Sequence, residues 1–305
     1  MERASNDADV SSTLPIIPYG GFSPIRLEGW HVGQHLPAHG RLKPAPGMRR
    51  PSSSLHPPFV HLVVNAPPDG YTLLFVPASA AVNVSLFDNL PFNLVRDIAP
   101  VSGLIDFPLV MVANPSLPAQ TVAEFIAYAK ANPGKVSMGS YGTGSTSHVA
   151  GELFKMMTGT NMIHVPYRGG APMVADLIGG QVQVAFDVLT GSLAHVRSGS
   201  LRALGMAGKR RSDVLPQVPT IAETVAGYEA NSWCGLGVPR GTPAVIIERL
   251  NREINAGLAD PAVRARLADV ATTPIFFTPD EFGAYMASEV EKWGKVVRVS
   301  GIRPE

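Results

Sequence analysis

The chain has 305 residues, 45% of them hydrophobic, enough for one large domain or two lobes with their own cores. A net charge of +1 supplies no field favouring nucleic acid or acidic membranes, and the one cysteine, Cys234, excludes an intramolecular disulfide or a cysteine-based metal site. No apolar run reaches the roughly 18 residues that a membrane helix needs, and no signal peptide is visible, since Leu14-Pro15-Ile16-Ile17-Pro18 is short and broken by proline.

Residues 1–65 differ from the rest. Nine of the 28 prolines and five of the eight histidines lie in this region, and Glu28 is the one acid between Tyr19 and Ala66, a composition that predicts disorder or an irregular extension, with Phe59–Val64 the one patterned stretch. From Pro67 the texture changes. Pro68-Asp69-Gly70 signals a turn, and Tyr71–Val76 reads as a buried parallel strand with Ser79 at its carboxyl end. Pro108–Ala113 is the next expected strand. Thr121 and Glu124 form a capping-box pattern opening a helix over Val122–Ala131, closed by Asn132-Pro133-Gly134.

The segment Val136–Thr158 reads as strand, Gly/Ser/Thr loop and helix. Gly142 and Gly144 permit positive φ, while Thr143, Ser145, Thr146 and Ser147 bring hydroxyls, any of the last three able to cap the helix. A helix start with free N–H groups favours an anion. The loop lacks the spacing of a phosphate loop and of a nucleophile elbow. Downstream come a strand at Met162–Val165, a polar loop with Tyr167, Arg168 and Gly169, and a helix over Pro172–Ile178. Arg168 could grip a carboxylate through two parallel hydrogen bonds, and the alternative is an exposed cation in a turn. A strand at Gln181–Phe186 leaves Asp187 at its end, where open α/β sheets bind ligands; its roles would be gripping an ammonium or hydroxyl, or holding water. His148 could imitate a hydrolase triad with Ser145 and Asp187, although a loop-stabilising role fits a histidine in a first helical turn better. His164 reads as a satisfied interior residue, Trp233 as core and Lys209-Arg210-Arg211 as a solvated turn.

Leu201–Met206 and Ser232–Val238 complete the strands. Thr220/Glu223 is a further capping-box pattern, and Pro243–Leu258, Pro261–Val270 and Pro279–Ser300 are helices, the last opened by Thr278 and Glu281. Alternating strands and helices predict an α/β fold with parallel sheets. No metal-ligand or dinucleotide motif is present, so no cofactor is expected.

Several segments together resemble the Bug (TctC-type) family, the substrate-binding proteins of bacterial tripartite tricarboxylate transporters. They include Ala66–Leu74, Ala99–Ser102, Tyr128–Lys135, Gly142–His148 with Ala150–Phe154, His164–Gly169, Asp176–Val182, Phe186-Asp187, Leu215–Thr220 and Gly301–Glu305, covering 66–305. The resemblance implies a two-lobe Venus-flytrap fold, with lobe one at 66–107 and 232–305 and lobe two at 108–231. It also implies a periplasmic, monomeric, non-enzymatic receptor that captures a small organic acid or acidic amino acid for the membrane components of a transporter. The family's binding positions map to Ser79, Gly142, Thr143, Gly144, Ser145, Thr146, Ser147, His148, Tyr167, Arg168, Gly169 and Asp187.

The N-terminus departs from the family pattern. The first strand, the P-x-G-G loop and the first helix are not recognisable, and Tyr19-Gly20-Gly21-Phe22 is followed by Pro24 rather than a helix. This predicts a frameshifted or misassigned start, and a lobe one that lacks its first strand and helix and is marginally stable. The competing reading is a non-functional fragment. At about 25 cal/mol per Å², a few hundred Å² of uncovered apolar surface is worth several kcal/mol.

Overall fold

The computed structural model describes residues 57–87 and 89–304. In chain order the helices are α1 (Pro57–Val64), α2 (Ala78–Leu86), α3 (Leu94–Asp97), α4 (Val122–Ala131), α5 (Thr146–Thr158), α6 (Gly170–Ile178), α7 (Leu189–Arg197), α8 (Ala244–Ala259), α9 (Pro261–Asp269) and α10 (Pro279–Ser300). The strands are β1 (Leu74–Pro77), β2 (Ile98–Phe107), β3 (Leu109–Ala113), β4 (Val136–Ser140), β5 (Met162–Pro166), β6 (Val184–Val188), β7 (Arg202–Met206), β8 (Ser232–Pro239) and β9 (Thr273–Pro274). The expected frameshifted start and the missing first strand and helix fall on residues 1–56, outside the described residues. Within the expected irregular segment, α1 is regular and buries Val60 and Val63.

The strands form two sheets, of order β1-β8-β2-β9 and β5-β4-β6-β3-β7, giving an α/β, two-lobe architecture. The expected parallel arrangement holds only for β5, β4 and β6. The first sheet is antiparallel, because β8 runs back between β1 and β2, and β3 pairs antiparallel with both β6 and β7. The strand expected at Tyr71–Val76 is therefore shorter and antiparallel. Interior β3, between β6 and β7, is buried at every position, which is why Leu-Val-Met-Val-Ala reads as one apolar run.

The ten-residue β2 escaped sequence reasoning because it carries Pro100 and Gly103. Its register with β8 shifts at both places, the irregularity that a proline without an N–H and a glycine introduce into a ladder. At Gly235 in β8 a Cβ would stand 2.1 Å from the Phe282 ring and 2.7 Å from the Ser102 carbonyl oxygen, so α10 packs directly on the sheet. The chain passes from the first sheet to the second at Pro108, and Phe107 pairs with Ser232 where it returns.

The long C-terminal helix α10 unites the molecule. Phe282, Met286, Trp293 and Val297 share one apolar cluster with Ala81 and Val82 of α2, Phe154 of α5 and Phe186 of β6. Inside this cluster Glu289 accepts the indole N–H groups of Trp233 at 3.0 Å and Trp293 at 2.9 Å, and pairs with Lys292. The expected core role of Trp233 is met, with 1% exposure. Thr278 accepts the Glu281 N–H at 3.2 Å, while Glu281 accepts that of Thr278 at 2.8 Å. The pattern at Thr220 opens only a single 3-10 turn, Ile221–Glu223.

Candidate functional site

The turn between β4 and α5 is set by its glycines. Gly142 has φ 118° and Gly144 φ 78°, values that side-chain-bearing residues rarely adopt. The Ser145 N–H closes back onto the Gly142 carbonyl oxygen at 3.1 Å. Of the three candidate caps Ser145 is the one used, its Oγ accepting the His148 N–H at 3.2 Å. Thr146 Oγ1 lies 3.5 Å from Ser232 Oγ, at the returning crossover strand. Ser147 Oγ is buried and has no hydrogen-bond partner among the described residues. Thr143 is half-buried beside Gly142.

The turn also touches the opposite lobe. A Cβ on Gly144 would stand 2.4 Å from Leu86 Cδ2 and 3.3 Å from Asn83 Oδ1, both on α2. Ser79 opens α2 and lies one helical turn before Asn83, so the two share a face. Sequence reasoning named Ser79 and missed Asn83. The available signal was an amide side chain four positions on, in a helix otherwise made of Ala, Val, Leu and Ser.

The second and third predicted places converge on the first through Tyr141, which sequence reasoning also missed. The Tyr141 hydroxyl donates to Asp187 and accepts the Val188 N–H at 2.6 Å. Its ring lies 3.2 Å from the Cβ position of Gly170, and Gly142 presents its Cβ position 3.2 Å from the Tyr167 carbonyl oxygen. Asp187 lies inside β6 rather than at its end, because the strand runs Val184–Val188. It is 2% exposed, one carboxylate oxygen accepting from Tyr141 and the other from Ser192. Burial pushes its pKa up, and the bonds from Ser192 and Tyr141 pull it partly back. Tyr167 donates to Asp176 at 2.8 Å, Gly169 caps α6 with φ 114°, and Arg168 is exposed with no ion pair among the described residues.

Two histidines back the turn. Gly144 donates its N–H to His148 Nδ1 at 3.2 Å, and Gly142 donates to Ser140 Oγ at 3.1 Å, which in turn lies 2.7 Å from His164 Nε2. The two rings stack at 3.6 Å and 4°. His148 Nε2 lies 3.6 Å from Glu152 Oε1, which pairs with Lys155 at 2.8 Å. Burial, reinforced by the adjacent His148, pushes His164 down to about 3. Burial raises Glu152, but bonds from His148 and Lys155 outweigh it and leave the carboxyl below its ordinary value.

Chemically, this is a hydroxyl-lined helix start facing another lobe. The ring of His148 is committed to Gly144 and Glu152, and Asp187 to Tyr141 and Ser192, so neither is aligned on Ser145 Oγ as a triad requires. Lys209 and Arg211 pair with Glu229 and Glu223, consistent with a solvated turn. Among the described residues no three His, Cys, Asp or Glu side chains are grouped to hold a metal, and no helix is long and apolar enough to cross a membrane.

Two α/β lobes, with a polar, helix-capped turn of one against α2 of the other, have the architecture of a two-lobe binding protein. The profile of the tripartite tricarboxylate transporter family receptor matches residues 59–302, and this chain belongs to that family, the Bug (TctC-type) proteins. It is 40% identical to Protein BugT of Bordetella pertussis over 240 residues, covering 77% of this chain and 73% of that one. A structure of R. palustris Rpa4515 with adipate superposes with a TM-score of 0.73 at 33% identity, covering 82% of this chain and 84% of that one. The periplasmic binding protein BugD gives 0.70 at 28% identity, with the same coverage of each. The match begins seven residues before Ala66 and takes in most of α1.

Proposed function

We propose that this protein is a periplasmic receptor that captures a small dicarboxylate in the cleft at the start of α5 and delivers it, unaltered and as a monomer, to the membrane components of a tripartite transporter. The observation that carries this reading is the Gly142–Gly144 turn: it sets the α5 N-terminus against α2, with the Gly144 Cβ position 3.3 Å from Asn83 Oδ1, and leaves the buried Ser147 Oγ one residue into the helix without a partner among the described residues. The adipate bound to Rpa4515 supports the ligand class.

In this reading the first N–H groups of α5, at Thr146 and Ser147, and the hydroxyls of Thr143, Ser145 and Thr146 face the ligand, while Gly142 and Gly144, their own N–H groups engaged, shape the turn with His148 behind them. Ser79 and Asn83 close the cleft from lobe one (66–107 and 232–305). Tyr167, Arg168 and Gly169 form the rim on lobe two (108–231), with Arg168 the cation that attracts the anion. Asp187 acts through Tyr141 rather than on the ligand, since both its oxygens are engaged.

Calorimetry with adipate, malate, citrate, aspartate and benzoate tests this. Saturable heat together with a melting temperature that rises with ligand supports the reading. No heat from any of the five favours the non-functional fragment, and turnover of an activated ester that Ser145→Ala abolishes favours a hydrolase.

A further inference from the structure

We infer that the stacked pair His148 and His164 positions the carboxylate-binding turn from behind, His148 holding the Gly144 N–H directly and His164 holding the Gly142 N–H through Ser140, and that neither ring contacts the ligand. The inference rests on the receptor reading given above. Its basis is a continuous set of contacts. The Gly144 N–H is held by His148 Nδ1 at 3.2 Å, and the Gly142 N–H by Ser140 Oγ, which is anchored on His164 Nε2 at 2.7 Å. The two rings are locked together by the 3.6 Å face-to-face stack.

The geometry dictates the proton positions. An N–H can donate to Nδ1 only if that nitrogen is unprotonated, so the proton of neutral His148 sits on Nε2, facing Glu152 Oε1 at 3.6 Å. Glu152 is itself held by Lys155, which fixes the ring one step further from the cleft. His148 is 4% exposed, and the one polar edge that its ring turns toward the cleft is consumed by Gly144.

Glycine makes this backing necessary. A turn with φ 118° and φ 78° is open only to residues with no side chain of their own to brace it. Without external acceptors the two N–H groups could rotate away from the orientation that leaves the α5 start clear. His148 supplies a rigid planar acceptor, His164 fixes the Ser140 hydroxyl that supplies the other, and together they hold the turn in its binding shape before the ligand arrives.

The test uses the full chain with adipate as probe. His148→Leu removes the acceptor and keeps the bulk, whereas His148→Asn returns an oxygen near the Nδ1 position. The expected result is about a tenfold loss of adipate affinity in the Leu variant, the scale of one positioned hydrogen bond, most of it recovered in the Asn variant. The Gly144 amide resonance should move in the Leu variant without ligand, and the wild-type imidazole nitrogens should report Nδ1 unprotonated. A Leu variant that binds like wild type, or an Asn variant no better than Leu, overturns the inference. If His148→Leu does not fold, Ser140→Ala, which cuts Gly142 from His164, takes its place with the Gly142 amide as readout. If wild type binds none of the carboxylates, the receptor reading falls and the resonances decide this inference alone: an unmoved amide or a protonated Nδ1 overturns it.

Discussion

Tyr141 and Asp187, 46 residues apart, meet in a single hydrogen bond that ties the end of β4 to β6 and brings the three polar loops into one site. The same hydroxyl accepts the Val188 N–H, so it serves a donor and an acceptor that are both withdrawn from water. Tyr141→Phe leaves both without that partner, and the expected loss is about 1–3 kcal/mol of stability, read from urea unfolding. An unchanged midpoint would show that the hydroxyl is dispensable.

The engagement of both Asp187 oxygens separates two roles for this carboxylate. Acting through Tyr141, Asp187→Ala weakens adipate and aspartate alike. A direct grip on an ammonium group would cost aspartate alone. Titrating both ligands into the variant distinguishes the two, and loss confined to aspartate would sink the indirect role.

Gly144→Ala combines two penalties, a left-handed φ and a methyl 2.4 Å from Leu86 Cδ2. The backbone part costs about 1 kcal/mol whatever its neighbours. The steric part falls on the lobe-lobe contact, and Leu86→Ala in the same chain makes room for it. A double-mutant cycle should therefore show coupling of at least about 0.5 kcal/mol, and strict additivity would mean that α2 does not confine the turn.

Asp106 on β2 and His164 on β5 pull the pH dependence in opposite directions. Burial pushes Asp106 up to about 6, with Arg210 opposing and Glu229 and Glu289 adding to the rise. The folded state thus holds this proton more tightly than the unfolded chain, so stability falls as pH rises from about 4 to about 6 and stays lower above. Asp106→Asn should flatten that slope and gain about 2 kcal/mol near neutrality. His164, lowered to about 3, gives the reverse: the unfolded chain binds the proton first, and stability is lost as pH falls below about 6.5. Urea midpoints from pH 3 to 8 for wild type, Asp106→Asn and His164→Gln resolve the two, and parallel curves would contradict both assignments.

Glu289 is a buried carboxylate with two indole donors and Lys292. Glu289→Ala strands both N–H groups in the core and should cost about 3–5 kcal/mol, whereas Glu289→Gln keeps an acceptor and should cost less. Melting followed by tryptophan fluorescence checks the order, and equal losses would assign the cost to packing alone.

The sequence by itself determined the elements whose bonds close within four residues. Thr278 with Glu281, Thr121 with the Glu124 N–H, and the strand-turn-helix around Gly142 and Gly144 are local hydrogen bonds and local steric permissions, written where they act. The many ordered family segments likewise identified the class of protein. Only the tertiary structure decided the direction of β1, the existence of β2 through Pro100, and the meeting of Tyr141 with Asp187, of His148 with His164 and of Gly144 with Asn83. The reason is that an apolar run is equally content beside a parallel or an antiparallel neighbour. A polar side chain carries no mark of which distant partner will remove it from water; that choice is made when the sheets assemble and α10 closes over them.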